Sequence, residues 1–147
     1  MDKKFDPLKI ENQICFPLYV ASKEVVRAYA PFLEELDLTF TQYIAMSMLW
    51  EHKKMSVKEL GEKLFLDSGT LTPVLKTLEK KGYVTRKRSY VDERVLVVEL
   101  TDQGQNLKQK AIFVPGKVAS SLSLTFAEAL SLNKLLDKII YKDKEGK

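Results

Sequence analysis

Apolar residues near the N-terminus recur at three- and four-residue intervals, the spacing of a helix face. Ile10, Ile14, Leu18 and Val25 form one stripe, and Cys15, Tyr19, Val26 and Tyr29 a second. Asp6-Pro7 offers a helix start, an aspartate cap with proline at the first helical position. The pattern therefore predicts a helix from Pro7 to about Tyr29. Ala30-Pro31 is expected to interrupt it, because proline disfavours helical backbone in the residue before it, and a short helical piece over 32–37 follows. A helix apolar on more than one face has to be covered from more than one side. In a small protein a second subunit is a natural cover.

Thr41 to about His52 is apolar nearly all round, with Tyr43, Ile44, Met46, Met48, Leu49 and Trp50, and is expected to be the central core helix. Ser56-Val57-Lys58-Glu59 has the form of a capping box. It opens a helix that ends near Phe65-Leu66, with Val57, Leu60 and Leu64 on one face. Asp67-Ser68-Gly69-Thr70 is turn and cap chemistry. The next helix carries Leu71, Val74, Leu75 and Leu78 at i, i+3, i+4 and i+7 and stops at Lys81-Gly82. The period then falls to two: 83–88 and 94–100 are predicted strands around a turn at 89–93, one hairpin in a helical chain. Thr101-Asp102 caps a last long helical region that Pro115-Gly116 breaks or kinks. Thr125-Phe126-Ala127-Glu128 is a second capping box, opening a helix to about Tyr141, and a polar tail over 142–147 is expected to fray.

The expected fold class is mainly α with a β-hairpin wing (α+β). Residues 1–147 form a single domain, with a winged helix-turn-helix over 41–100 and helical regions at 5–38 and 102–141 suited to dimerisation. A content of 45% hydrophobic and 30% charged residues fits a globular chain. No apolar run approaches a membrane span, and Met1-Asp2-Lys3-Lys4 leads into a polar stretch rather than a signal sequence. A cytosolic protein without a membrane partner is expected. One cysteine cannot form an intramolecular disulfide, and one cysteine with one histidine speaks against a transition-metal site. No cofactor is implied.

A net charge of +4 is mild, so its placement decides its meaning. Between Lys76 and Arg88 lie six basic residues, Lys76, Lys80, Lys81, Arg86, Lys87 and Arg88, against one acid, Glu79. That run coincides with the helix-turn-helix and its wing. In such a layout the second helix enters the major groove by its N-terminal end. Its non-core face offers hydroxyl and ammonium donors for phosphates and base edges. The candidate DNA contacts are Asp67, Ser68, Thr70, Thr72, Pro73, Lys76 and Thr77 on this helix, with Lys80 and Lys81 beyond them. Arg86 and Arg88 lie on the wing. Arg94, just past the hairpin turn, is placed to probe a minor groove, where narrow A·T tracts attract arginine, and Asp92 could orient it.

The segments Leu66 to Lys76, Leu78 to Gly82 and Asp92-Glu93-Arg94 resemble the MarR family of dimeric repressors. Glu11-Asn12-Gln13-Ile14-Cys15-Phe16, followed by Leu18-Tyr19, is similar to its organic-hydroperoxide-sensing branch, the one-cysteine OhrR repressors. The resemblance spans about residues 5–116. It implies a homodimer held by the N- and C-terminal helices, bound as two winged domains to a pseudo-palindromic double-stranded DNA operator. It also implies a peroxide-reactive cysteine that becomes a sulfenic acid, then a mixed disulfide with a low-molecular-weight thiol or a higher oxide. In that family, tyrosines of the partner subunit bond the reduced cysteine. The matching positions here are Cys15, Tyr19 and Tyr29. Phe40 stands where a third tyrosine is often found, which removes one hydroxyl from the relay.

Thiolate is the reactive form of cysteine. A Cys15 well past the first turn of its helix would gain little from the helix dipole, so donors are expected from elsewhere. Tyr19 lies at i+4 from Cys15. Tyr29 is about 21 Å further along the axis at 1.5 Å per residue, so it could meet Cys15 only across a dimer whose first helices cross antiparallel. The expected function is a DNA-binding transcriptional repressor, released from its operator when hydroperoxide oxidises Cys15. The alternative is a regulator of the same fold released by a small aromatic ligand in the dimer cleft, with Cys15 structural. A thiol peroxidase is disfavoured by the lack of a resolving cysteine, a nearby histidine base, or any arginine near Cys15 in sequence except Arg27.

Overall fold

The computed structural model describes residues 4–142. The expected polar tail lies, beyond Lys142, outside the described residues. A 3-10 turn at Ile10–Asn12 precedes α1 (Cys15–Glu34) and α2 (Phe40–His52). Next come β1 (Lys54–Ser56), α3 (Val57–Leu64), α4 (Ser68–Lys80), β2 (Val84–Arg88) and β3 (Leu96–Leu100). The chain closes with α5 (Asp102–Ala111), α6 (Val114–Ser121) and α7 (Phe126–Ile140).

The first helix departs from the pattern at both ends. Asp6 does cap, accepting the Leu8 N–H at 2.9 Å, but it caps only a turn. The helix begins at Cys15 because Pro17 sits in its first turn. A proline there has no amide to donate, and its ring crowds the carbonyl four residues back, Gln13, whose backbone is extended. At the other end α1 runs through Pro31 to Glu34 instead of stopping before it. Leu33 is buried, and Ala28, Tyr29 and Phe32 pack on the core. This packing offsets the backbone bond that Pro31 cannot make.

The core gathers round α2, whose Ala45, Met46 and Leu49 are fully buried, with Leu60 of α3, Leu71, Leu75 and Leu78 of α4, and Val84 and Val98 of the sheet. Each such leucine contributes about 1.5–3 kcal/mol by leaving water. Met48 is half-buried. Trp50 closes one end, its indole N–H donating to the Gly104 carbonyl at 2.9 Å. Thr39 and Gln42 form a reciprocal capping box that starts α2, and Thr125 with Glu128 does the same for α7. At α3 only half the box forms: Ser56 accepts the Glu59 N–H at 3.0 Å, while Ser56 is also the last residue of β1, opposite Val97.

The wing is more than a hairpin. β1 adds a third antiparallel strand, giving the order β1-β3-β2, with Met55 opposite Val98, both buried. Gly104 lies so close to β2 that a Cβ there would stand 2.2 Å from the Tyr83 carbonyl oxygen. Gly61 is similarly confined, 2.9 Å from the Leu66 carbonyl, which lets the chain turn sharply between α3 and α4. α7 buries none of its residues. Its Phe126, Leu130, Leu135 and Ile139 are exposed, as are Ile14, Phe16 and Tyr19 near the start of α1.

Candidate functional site

The second helix of the helix-turn-helix, α4, is held by Asp67, whose Oδ1 accepts the Thr70 N–H at 2.7 Å. That backbone donor holds the Asp67 carboxyl below the usual carboxylate range. With Leu71, Leu75 and Leu78 turned into the core, Ser68, Thr70, Pro73, Lys76 and Lys80 are exposed on the outer face, with Thr72 and Thr77 half-buried. The Thr77 hydroxyl donates to the Pro73 carbonyl at 3.1 Å, so its oxygen is left as an acceptor. The first-turn amides that Asp67 leaves unused add donors to this surface.

At the wing tip Asp92 and Arg94 form one unit. Asp92 Oδ1 accepts from the Arg94 amide at 3.0 Å and from Nε at 3.1 Å, and Oδ2 accepts from Nη2 at 3.3 Å. The Arg94 guanidinium is the main reason the Asp92 carboxyl sits below its ordinary range. The Arg94 side chain stays 91% exposed, so it is oriented and still available. Arg88 is exposed on β2.

Two basic residues of the run are committed inside the chain. Arg86, expected to face DNA, turns back to α4: Nε and Nη2 donate to Glu79 Oε1 at 3.3 and 3.1 Å, and its amide donates to Oε2 at 3.0 Å. Its side chain is only 18% exposed, and it depresses the Glu79 carboxyl. Lys81 likewise leaves the DNA-facing set, its Nζ donating to the Asp37 backbone carbonyl and lying 3.3 Å from Asp37 Oδ2. The signal for Arg86 was present in the sequence, since Glu79 is the single acid among those bases. For Lys81 no local signal exists, because Asp37 is 44 residues away.

Cys15 is the first residue of α1, not one well past its first turn. The dipole there favours negative charge, and the thiol is exposed. Its Sγ donates to Gln13 Oε1 at 3.6 Å, and Gln13 Nε2 in turn donates to the Leu8 carbonyl at 2.9 Å. The sequence pattern alone gives Gln13 no role; its place beside the thiol is set by the turn before α1. Tyr19 is exposed one turn on, with Lys23 Nζ 4.2 Å from its ring centre. Tyr29 is at the far end of the helix, against Phe40 at 5.6 Å and Tyr43 at 5.4 Å. Burial raises the pKa of both Tyr29 and Tyr43 above the ordinary phenol value. One chain therefore brings Cys15 and Tyr19 to the same face and leaves Tyr29 remote. Among the described residues, no group of three or more metal-binding side chains occurs, and no helix is long and apolar enough to cross a membrane.

Comparison with known proteins adds to this geometry. Residues 27–111 match the profile of the transcriptional regulator SarA/Rot family. The organic hydroperoxide resistance transcriptional regulator of Bacillus subtilis (strain 168) is 51% identical over 118 residues, covering 80% of both chains. Reduced AbfR bound to DNA superposes with a TM-score of 0.77 at 34% identity, covering 92% of both chains. Overoxidised AbfR bound to DNA gives 0.73 at 34% identity, covering 90% of this chain and 93% of that one. A cysteine-to-serine mutant of MarR from E. coli, complexed with operator DNA, gives 0.75 at 28% identity, covering 83% of this chain and 89% of that one.

Proposed function

Since the chain belongs to the MarR-type winged-helix transcriptional regulators and resembles their organic hydroperoxide resistance branch, we propose that it is a repressor switched by oxidation of Cys15. The observation that carries this reading is the exposed lone thiol at the start of α1, in a chain that also carries a helix-turn-helix and an oriented wing-tip arginine. The working unit is a homodimer on a pseudo-palindromic operator. Its interface is formed by the apolar faces that α1 and α7 leave open. Antiparallel crossing of two α1 helices would set the Tyr29 of one protomer beside the Cys15 of the other.

On the operator, α4 enters the major groove with Asp67, Ser68, Thr70, Thr72, Pro73, Lys76 and Thr77. Arg88 meets the backbone, and Arg94, held by Asp92, enters the adjacent minor groove. Arg86 supports the wing from inside. Hydroperoxide is the oxidant. The Cys15 thiolate attacks a peroxide oxygen, the O–O bond breaks, an alcohol leaves and sulfur becomes a sulfenic acid. A small thiol then condenses with it, forming S–S and releasing water. The adduct needs volume in the packed interface, and the two reading helices leave their spacing of about 34 Å. A coupling of about 3 kcal/mol corresponds to about a 150-fold loss of affinity. That AbfR is bound to DNA when overoxidised favours the bulk of a disulfide adduct, rather than added oxygens alone, as the trigger.

The test is fluorescence anisotropy on DNA from the protein's own upstream region. Wild type and Cys15→Ser are compared, with and without stoichiometric organic hydroperoxide and a small thiol. Release of wild type with retention of Cys15→Ser supports the proposal. Both staying bound removes Cys15 as the switch.

A further inference from the structure

The C-terminal end of α4 is tied to both dimerisation regions at one joint. Lys81 caps the helix, and its ammonium reaches the Asp37 carbonyl and carboxylate at the α1–α2 corner. The Lys81 carbonyl accepts from Gln103 Nε2 at 3.3 Å, and the Gly82 carbonyl accepts from the Thr101 hydroxyl at 2.6 Å, both at the start of α5. The corner is itself stiff. Asp37 is held in left-handed backbone conformation at φ 53°, Leu38 N–H bonds the Leu33 carbonyl at 3.0 Å, and Leu33, Leu36 and Leu38 are buried. Beside the joint lies a cleft of about 480 Å³, bordered by Val26, Ala30, Leu33 and Lys81.

We propose that Lys81 is a positioning residue for operator binding: through Asp37 it fastens the reading helix to the far end of the helix that begins with Cys15. The proposal rests on the redox reading of Cys15. A displacement of α1 then reaches α4 through a charge-assisted contact at a rigid corner, as well as through the packing of α2. The contact adds a directional tie between two elements that the core already couples. The same geometry keeps the lysine from serving as a phosphate contact, its side chain being only 25% exposed.

Operator affinity of wild type, Lys81→Met and Lys81→Arg is measured by anisotropy at four salt concentrations, reduced and after hydroperoxide with a small thiol. Lys81→Met is expected to lower the release factor from on the order of 100-fold to about 5-fold, with an unchanged salt slope, and Lys81→Arg to restore most of it. A release factor equal to wild type overturns the proposal. So does an equal loss in both redox states with the salt slope reduced by about 0.9 per lost phosphate. If Lys81→Met does not fold by circular dichroism, Lys81→Ala carries the test: it removes the ammonium from both the Asp37 carbonyl and the carboxylate, so weakened release supports the joint and unchanged release refutes it. If wild type itself is not released, the redox reading fails. The joint is then judged on the reduced protein, where Lys81→Met must lose affinity at constant salt slope.

Discussion

Arg86→Met separates a structural arginine from a DNA-contacting one. The substitution keeps the aliphatic stem and deletes both guanidinium hydrogen bonds to Glu79, leaving only the backbone bond from residue 86 at 3.0 Å. Exposed ion pairs contribute about 0–1 kcal/mol, and breaking buried ones costs about 3–5 kcal/mol. With side-chain exposures of 18% for Arg86 and 38% for Glu79, solvent screening places this pair between the two cases and nearer the lower, about 1.5 kcal/mol. For a chain of this size that is about 3–6 °C in Tm, read by urea and thermal unfolding at pH 7. Acid dependence gives a second readout. The Glu79 carboxyl is lowered mainly by the Arg86 side chain. Its contribution is therefore present above the ordinary glutamate range and lost as pH falls through the lowered folded value. Arg86→Met should flatten that acid limb. In anisotropy the variant should keep the wild-type salt slope. Unchanged stability with a slope reduced by about 0.9 would mean that Arg86 neutralises a phosphate, and the structural assignment would be refuted.

Two further outcomes concern a close contact and an exposed one. Gly104→Ala places a methyl 2.2 Å from the Tyr83 carbonyl oxygen and 2.7 Å from Leu100 Cδ1; a loss of at least about 3 kcal/mol is expected, and thermal unfolding within a few degrees of wild type would refute it. Arg94→Ala should cost about 1–3 kcal/mol of operator affinity and flatten the preference for A·T flanks in a binding-site selection, with little change in Tm because the pair with Asp92 is exposed and contributes little to stability.

Much of the reading surface was legible because its determinants are local. Asp67 as a cap, the Leu71, Leu75 and Leu78 stripe, and the Asp92–Arg94 tip each depend on residues within a few positions. The α7 capping box is local too. The Thr39–Gln42 box that starts α2 is equally local. What stayed hidden depends on partners distant in sequence. β1 is three residues long, too short to display alternation, and exists only because β3 pairs with it from beyond position 95. Arg86 and Arg88 share a strand and a charge, yet only one lies within reach of Glu79. The start of α1 differs from the expected one because Asp6-Pro7 is a good cap signal, while Pro17, a stronger constraint, falls within the same apolar pattern. Pro17 places Cys15 at the helix end.

α7 is well begun by its capping box and yet contributes nothing to the interior of its own chain. A fifteen-residue helix is marginal when alone in water, and its own chain meets it chiefly at the C-terminal end, where the Tyr141 ring stands 6.1 Å from that of Phe65; a partner covering its apolar face would make its order follow mass action. Scarcity of protein would then act twice on repression, thinning the population and loosening each remaining molecule. An operator that brings two chains together would repay part of that loss by serving as their meeting place.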